Sequence, residues 1–178
     1  MVTATTIKTE RLLLMPLKMT HLEALFEIAK DPRSIEDYQY AAQEIEDVRQ
    51  WLEPSFNNSD ELNWVAFKNE QLIGFFEVYL EAEYSELQIN VCRIGYFIDY
   101  REQKQGFGTE LLLGVIDWLF RETTIERVEA GVTLHNASSY RILEKAGFVR
   151  DKVVKDNWEW RSETFDSVYY YLTKPSTN

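Results

Sequence analysis

One run constrains what this chain can fold into more than any other: IGYFIDYREQKQGFGTELLLGVIDWLF, residues 94–120. It opens with the β-branched and aromatic content of a strand. Further on, Leu111, Leu112, Val115, Ile116 and Leu119 recur at helical spacing, and Glu110 suits the first turn of that helix. Gly106 and Gly108 stand in the polar loop between. A helix start offers unpaired N–H groups and partial positive charge. Glycine lets the backbone approach an anion closely and adopt positive φ. Two phosphate loops are excluded here. A P-loop needs Lys-Ser or Lys-Thr after its last glycine, whereas Gly108 is followed by Thr109-Glu110. The dinucleotide fingerprint needs a third glycine where Leu111 stands. What remains is Gln-x-x-Gly-x-Gly between strand and helix, which reads as an anion cradle or as a glycine-rich turn.

The rest of the chain supplies the layers around this unit. ERLLLMPL (Glu10 to Leu17) predicts a strand stopped near Pro16. THLEALFEIAKDP predicts a helix with a Thr20/Glu23 capping box and an apolar face of Leu22, Leu25, Phe26 and Ala29. A second helix is expected from about Ala42 to Glu53, with Ile45, Val48, Trp51 and Leu52 on one side. NWVAF and LIGFFEVYL flank a short Lys68–Gln71 connection and predict a hairpin. LQINVCRIGYFID and RVEAGVTL read as strands, and ASSYRILEKAG as a short helix stopped by Gly147. FVRDKVV and FDSVYYYL close the chain as strands joined by the aromatic connector KDNWEWRSET. The order predicts a mixed α/β fold of the α+β type. Its sheet is largely antiparallel, with about seven strands and about four flanking helices.

At 178 residues, 45% hydrophobic, the chain is expected to form one domain over residues 1–178. Cys92 is the only cysteine, so no intramolecular disulfide can form, and its apolar surroundings read as a buried structural thiol. No apolar run is long enough to span a membrane and no signal peptide is recognised at the start, so a cytoplasmic protein is expected. A net charge of −11 excludes the basic footprint of a nucleic-acid binder and could steer a cationic substrate. No metal centre is expected. Monomer and homodimer both stay open.

GVTLHNASSYRILEKAGF extends the pattern, with Asn136 at a strand end, Ser139 three residues on, and the ending LEKAGF. Together with TERLLLMPL, IGYFID, QKQGFGTELL and FDSVYYYL, in that order, the chain resembles the GNAT N-acetyltransferase superfamily. Within it the likeness is to the branch acting on ribosomal-protein N-terminal alanine or serine. The resemblance implies acetyl-coenzyme A as cofactor, with coenzyme A as product. The backbone amides of Gln103, Lys104, Gln105, Gly106, Phe107, Gly108 and Thr109 would cradle the pyrophosphate. Phe97 and Ile98 would pair with the pantetheine arm, Asn136 would touch it, and a strand bulge there would aim an N–H at the thioester oxygen.

Acetyl transfer needs a group to take the amine's proton and one to protonate the leaving thiolate. Ser139 is the candidate donor, against the bland reading that it only bonds backbone in the first turn of its helix. Leu143 stands where relatives often have tyrosine, and Arg93 where they often have glutamate. Glu77 in IGFFEVY is the substitute base, unless strand alternation turns it to solvent. His135 reads as a proton relay or a satisfied strand-end histidine, Trp158 and Trp160 as acceptor lining or cross-strand pairs in a hairpin, Glu36 and Asp37 as acids suiting a cationic acceptor or solvated loop charges, and His21 as solvated. The acceptor is expected to be a protein N-terminal amine. A small cationic amine (polyamine or antibiotic-like) and a non-catalytic coenzyme A sensor are the rivals.

Overall fold

The structure, a computed structural model, describes residues 2–35, 41–84, 89–160 and 163–175. Among these the chain forms eight strands and four α-helices: β1 (Ile7–Lys8), β2 (Leu12–Pro16), α1 (Leu22–Ala29), α2 (Ile45–Asn57), β3 (Glu61–Lys68), β4 (Gln71–Tyr84), β5 (Ile89–Ile98), α3 (Phe107–Glu122), β6 (Arg127–Thr133), α4 (Ala137–Lys145), β7 (Val149–Trp160) and β8 (Glu163–Thr173). The strands make one sheet in the order β1-β2-β3-β4-β5-β6-β8-β7, antiparallel throughout except for the β5–β6 pair. Two-residue β1 is the strand beyond the seven expected, too short to give a pattern. No helix among the described residues is long and apolar enough to cross a membrane.

Alternation along the strands sends neighbours to opposite faces, and two cores result. Trp64, Phe76, Ile94 and Val128 meet Leu111, Val115 and Leu119 of α3 and Leu143 of α4. On the other face Val65, Phe75 and Phe97 meet Leu25 and Ile28 of α1 and Val48 and Leu52 of α2. Each such side chain contributes about 1.5–3 kcal/mol by leaving water. Cys92 lies fully buried in the first core, as expected.

Local differences from expectation have local causes. A 3-10 turn, Met19–His21, precedes α1, and the His21 Nδ1 accepts from the Lys18 N–H at 3.1 Å, so His21 closes the start assigned to Thr20 and Glu23. Helix α2 runs through Pro54 to Asn57, with Phe56 packed on the core beyond it. Asp47 makes its cap by accepting from the Gln43 and Glu44 N–H groups at 2.7 and 3.0 Å. The aromatic connector after Val154 is not a loop: most of it extends β7 and β8 into one long hairpin, with Trp158 opposite Phe165.

The β5–β6 contact positions the site. Its pairing covers only Val91–Arg93 against Arg127–Glu129, after which the two strands part. Toward β4 the register of β5 runs without a shift from Val91 to Ile98. The bulge expected at Phe97–Ile98 is therefore absent from that ladder, and the nearest irregularity lies one strand away, at Ala66/Phe67 of the β3–β4 pair. Gly74 makes the close β4–β5 approach at this point: a Cβ there would sit 2.8 Å from the Phe97 carbonyl oxygen and 2.7 Å from Ile98 Cδ1.

The N-terminus of α3 is tied to the start of β2. Glu110 accepts from Thr9 Oγ1 at 2.6 Å and from the Arg11 N–H and Nε at 2.7 Å each. Burial alone would raise the Glu110 carboxyl, but the hydrogen bonds from Thr9 and Arg11 outweigh it and hold the carboxyl below its usual 4.5. A depressed folded-state pKa stabilises the protein above the unfolded value, and that share is lost as pH falls through the folded one. Glu110→Gln should cost about 1–3 kcal/mol at pH 7 in urea denaturation. The variant should also lose less stability than wild type between pH 5 and 3.

Candidate active site

Strand β5 ends at Ile98, and Asp99 starts the turn that carries the chain to α3. Asp99 is buried, its N–H donates to the Ile73 carbonyl at 2.8 Å, and its carboxylate takes the Arg101 N–H at 3.0 Å and the Arg101 guanidinium. Gln103 Nε2 donates to the carbonyls of Ile98 and Arg33, both at 3.1 Å, which draws the loop against the segment after α1. Lys104 (φ 62°) and Gly106 (φ 86°) are both left-handed, and Gly106 caps α3. The chain therefore folds back on itself twice before the helix begins. Helix geometry leaves the first N–H groups of α3 without intrahelical acceptors, facing the same side as the dipole's positive end.

A cleft of about 430 Å³ opens over this loop. Phe97, Ile98, Gln103, Lys104, Gly106 and Gly108 line it, as do Thr109, Asn136 and Ser139. Gln105 and Phe107 of the nominated set do not. The Gln105 carbonyl accepts from Arg11 Nη1 at 3.0 Å, and the Phe107 ring lies buried under the Arg11 guanidinium, 4.4 Å from the ring centre, and Lys68, at 5.1 Å. Any contact from these two falls to their backbone. Among the described residues, every charged side chain lining the cleft is basic: Arg33, Lys104, Arg141 and Lys145. Three of these escaped sequence reasoning. Arg141 and Lys145 share one face of α4 by their four-residue spacing, a signal available in the sequence. Arg33 follows α1 in a loop and gave none. It bonds Asp31 at 2.6 Å, stacks on Tyr100 with 3.6 Å between guanidinium carbon and ring centre, and lowers the Asp31 carboxyl to about 2.

A second cavity, about 720 Å³, lies where β5 and β6 part, on the side of α1 and α2. Glu77 is its buried acid, 8% exposed, so alternation turns it into the cavity rather than to solvent. The Tyr79 hydroxyl donates to its carboxylate at 3.1 Å. Burial pushes the Tyr79 phenol well up, and the neighbouring Glu77 charge pushes it further. Trp51, Trp158 and Tyr169 form aromatic walls, and Leu143 lies fully buried beneath. Gly131 lets the Tyr169 ring lie across β6: a Cβ there would meet the ring at 3.2 Å. The only charged side chains among the described lining residues are Glu77 and Arg93.

The two cavities share Ile35, Tyr96 and Ser139, of which Tyr96 and Ser139 bring hydroxyls. The Asn136 side chain caps α4, accepting from the Ser139 N–H at 3.0 Å and from Ser138 Oγ at 2.7 Å. The bond in the first turn is made by the Ser139 backbone N–H and not by its side chain, as the bland reading had it, and the hydroxyl is turned to the cavities, 3.5 Å from the Tyr96 hydroxyl. Tyr96 was missed because it sits inside an apolar strand run. It is fixed by stacking on Phe76, 5.7 Å between centres and 9° between planes. His135 is exposed and packs on Phe165 at 4.8 Å, and neither it nor His21 lines either cavity. Trp160 has no described side chain, and Glu36 and Asp37 lie outside the described residues.

Known proteins agree with this geometry. The family described as acetyltransferase (GNAT) domain matches residues 11–149. "Uncharacterized N-acetyltransferase YnaD" of Bacillus subtilis is 23% identical over 97% of this chain and 99% of its own length. "Probable N-acetyltransferase YjcK" of the same organism is 42% identical over a shorter match, 36% of this chain and 35% of its own length. So this chain accounts for about a third of that relative. Among solved structures, the ribosomal L7/L12 α-N-protein acetyltransferase RimL in complex with coenzyme A superposes with a TM-score of 0.81 at 17% identity, over 95% of this chain and 98% of RimL. The chain belongs to the GNAT acetyltransferase family, and by that membership it is an N-acetyltransferase.

Proposed function

We propose that the protein moves an acetyl group from acetyl-coenzyme A to a primary amine, with the donor in the basic cleft and the amine in the aromatic cavity. The observation that carries this reading is that Tyr96 and Ser139 line both cavities, so the two substrates meet at these hydroxyls. The residues present suit the donor. Lys104, Arg33, Arg141, Lys145 and the amides at the start of α3 hold phosphates, while Phe97, Ile98 and Asn136 hold the pantetheine arm. RimL, solved with coenzyme A, supports this choice of ligand. When bound, acetyl-coenzyme A supplies an acyl group activated as a thioester.

The chain's own groups then divide the proton work. Glu77, buried beside the acceptor, attracts an ammonium, receives its proton and leaves a neutral amine. Tyr79, kept protonated at neutral pH, donates to the Glu77 carboxylate and orients it. Tyr96 and Ser139 are the O–H donors nearest the meeting point, with Tyr96 the larger and better fixed. Most of the acceleration comes from holding two substrates in one wedge of the sheet. A walled cavity of about 720 Å³ suits a compact amine, so a small molecule is favoured here over the protein N-terminus expected at first.

Calorimetry with acetyl-coenzyme A tests the donor site: micromolar binding that weakens steeply with salt is expected, and none at high micromolar concentrations overturns it. Gly106→Val forces a β-branched residue to φ 86° and should weaken that binding at least tenfold. Glu77→Gln should lower kcat/KM by about 100-fold or more and remove the acid limb of its pH profile. A variant within a few-fold of wild type with the limb intact rules Glu77 out as base.

A further inference from the structure

The aromatic cavity carries one charge of each sign on its β4–β5 wall: Glu77, 8% exposed, and Arg93, which is exposed. The register of β4 and β5 fixes how these two charges are related. Glu77 is opposite Gly95 and Tyr79 is opposite Arg93, so Glu77 and Arg93 are diagonal neighbours on one face of the sheet. Their backbones are then roughly 7–8 Å apart. Gly95 between them carries no side chain to fill the space beside the carboxylate. The other walls are apolar or aromatic, and Trp51, Trp158 and Tyr169 enclose the space that a side chain would occupy.

Each candidate acceptor fits this charge pattern differently. A polyamine carries several cations and needs several acids, but among the described lining residues Glu77 is the sole acid. A peptide N-terminus places a neutral amide, not an anion, next to its amine. A free α-amino acid places a carboxylate two bonds from the amine-bearing carbon's nitrogen, matching an acid and a base held close together. Its ammonium would face the buried carboxylate, its own carboxylate the guanidinium, and its side chain the indoles.

Resting on the acetyl-transfer reading above, we propose that the acceptor is a zwitterionic α-amino acid with an apolar or aromatic side chain, its amine at Glu77 and its carboxylate at Arg93. The transfer balances without a further reagent: the amine nitrogen forms the new bond to the acetyl carbon, the carbon–sulfur bond breaks, and the second proton shed by that nitrogen passes through the Tyr96 and Ser139 hydroxyls to the thiolate, so coenzyme A leaves as the thiol. Glu77 takes the ammonium proton before attack, and Arg93 determines specificity by charge and by its planar donor pair.

The test follows thiol release with matched acceptors: L-phenylalanine, L-tryptophan and L-methionine against phenethylamine, tryptamine and 3-(methylthio)propylamine. Wild type should favour at least one amino acid over its decarboxylated partner by roughly tenfold or more in kcat/KM. Arg93→Gln should collapse that ratio chiefly through KM for the amino acid, and Arg93→Lys should restore part of it. A wild-type ratio near one, or one unchanged in Arg93→Gln, overturns the inference. The wild-type ratio decides the matter even if the variants fold poorly. Thiol release with peptide amines or polyamines but with no amino acid also overturns it, while leaving acetyl transfer intact. Absence of acetyl-coenzyme A binding, with no thiol from any acceptor, overturns both readings.

Discussion

Strands β5 and β6 hold one another over three residue pairs and then separate. Everything functional in this molecule is a consequence of that short embrace. A sheet that stayed paired would bury its backbone groups in a ladder and leave no opening between strands. Here the parallel contact is long enough to keep one continuous sheet and short enough to leave a wedge. The first core lies under the wedge, with Leu143 and Val132 closing its floor. The two cavities meet there, sharing Tyr96 of β5 and Ser139 of α4.

Charge is partitioned along the same line. The chain carries a net −11, yet among the described residues the charged side chains lining the cleft over α3 are all cations. Acidic partners at a distance from the cleft hold the loop in shape: Asp31 on Arg33, Asp99 on Arg101, Glu110 on Arg11. The cations of these pairs are partly exposed, so the charge attraction alone adds little to stability beside hydrogen bonds such as those Glu110 accepts from Thr9 and the Arg11 N–H. Their effect is positional. They fix the turn between β5 and α3 so that helix amides and lysine ammonium groups face one volume.

How much of this the sequence disclosed depends on the range of the signal. Periodicity located α3, α4 and the β3–β4 hairpin, because those patterns are set by neighbours a few residues away. The loop from Gln103 to Thr109 was legible through its two glycines, and the left-handed backbone at Gly106 accounts for one of them. Lys104, with φ 62°, carried no such warning, since nothing about a lysine announces that conformation. The side of the sheet that Glu77 faces needed the register with β3 and β5. Tyr96 was invisible among Phe97, Ile98 and Ile94, for only the fold shows that its hydroxyl reaches the wedge while its ring stays on Phe76. The cap at His21 was misjudged for a related reason, as was the length of β7 and β8, although Trp158 takes the cross-strand place that was one of its two readings. Local motifs there compete with tertiary packing, and packing prevails.

The strand order holds one more consequence, for how such a chain is made. β8 lies between β6 and β7, so the penultimate strand reaches the edge of the sheet only through the last one. During synthesis β7 emerges with no neighbour to pair with, and the exposed edge of β6 waits for residues not yet translated. Val168 and Tyr170 of the core and Tyr169 of the cavity wall all arrive with that final strand. The wedge is thus sealed from the late end of the chain. A ribosome-bound fragment can carry the whole glycine loop and still lack the Trp158 and Tyr169 walls of the larger cavity, which form only when β7 and β8 pair.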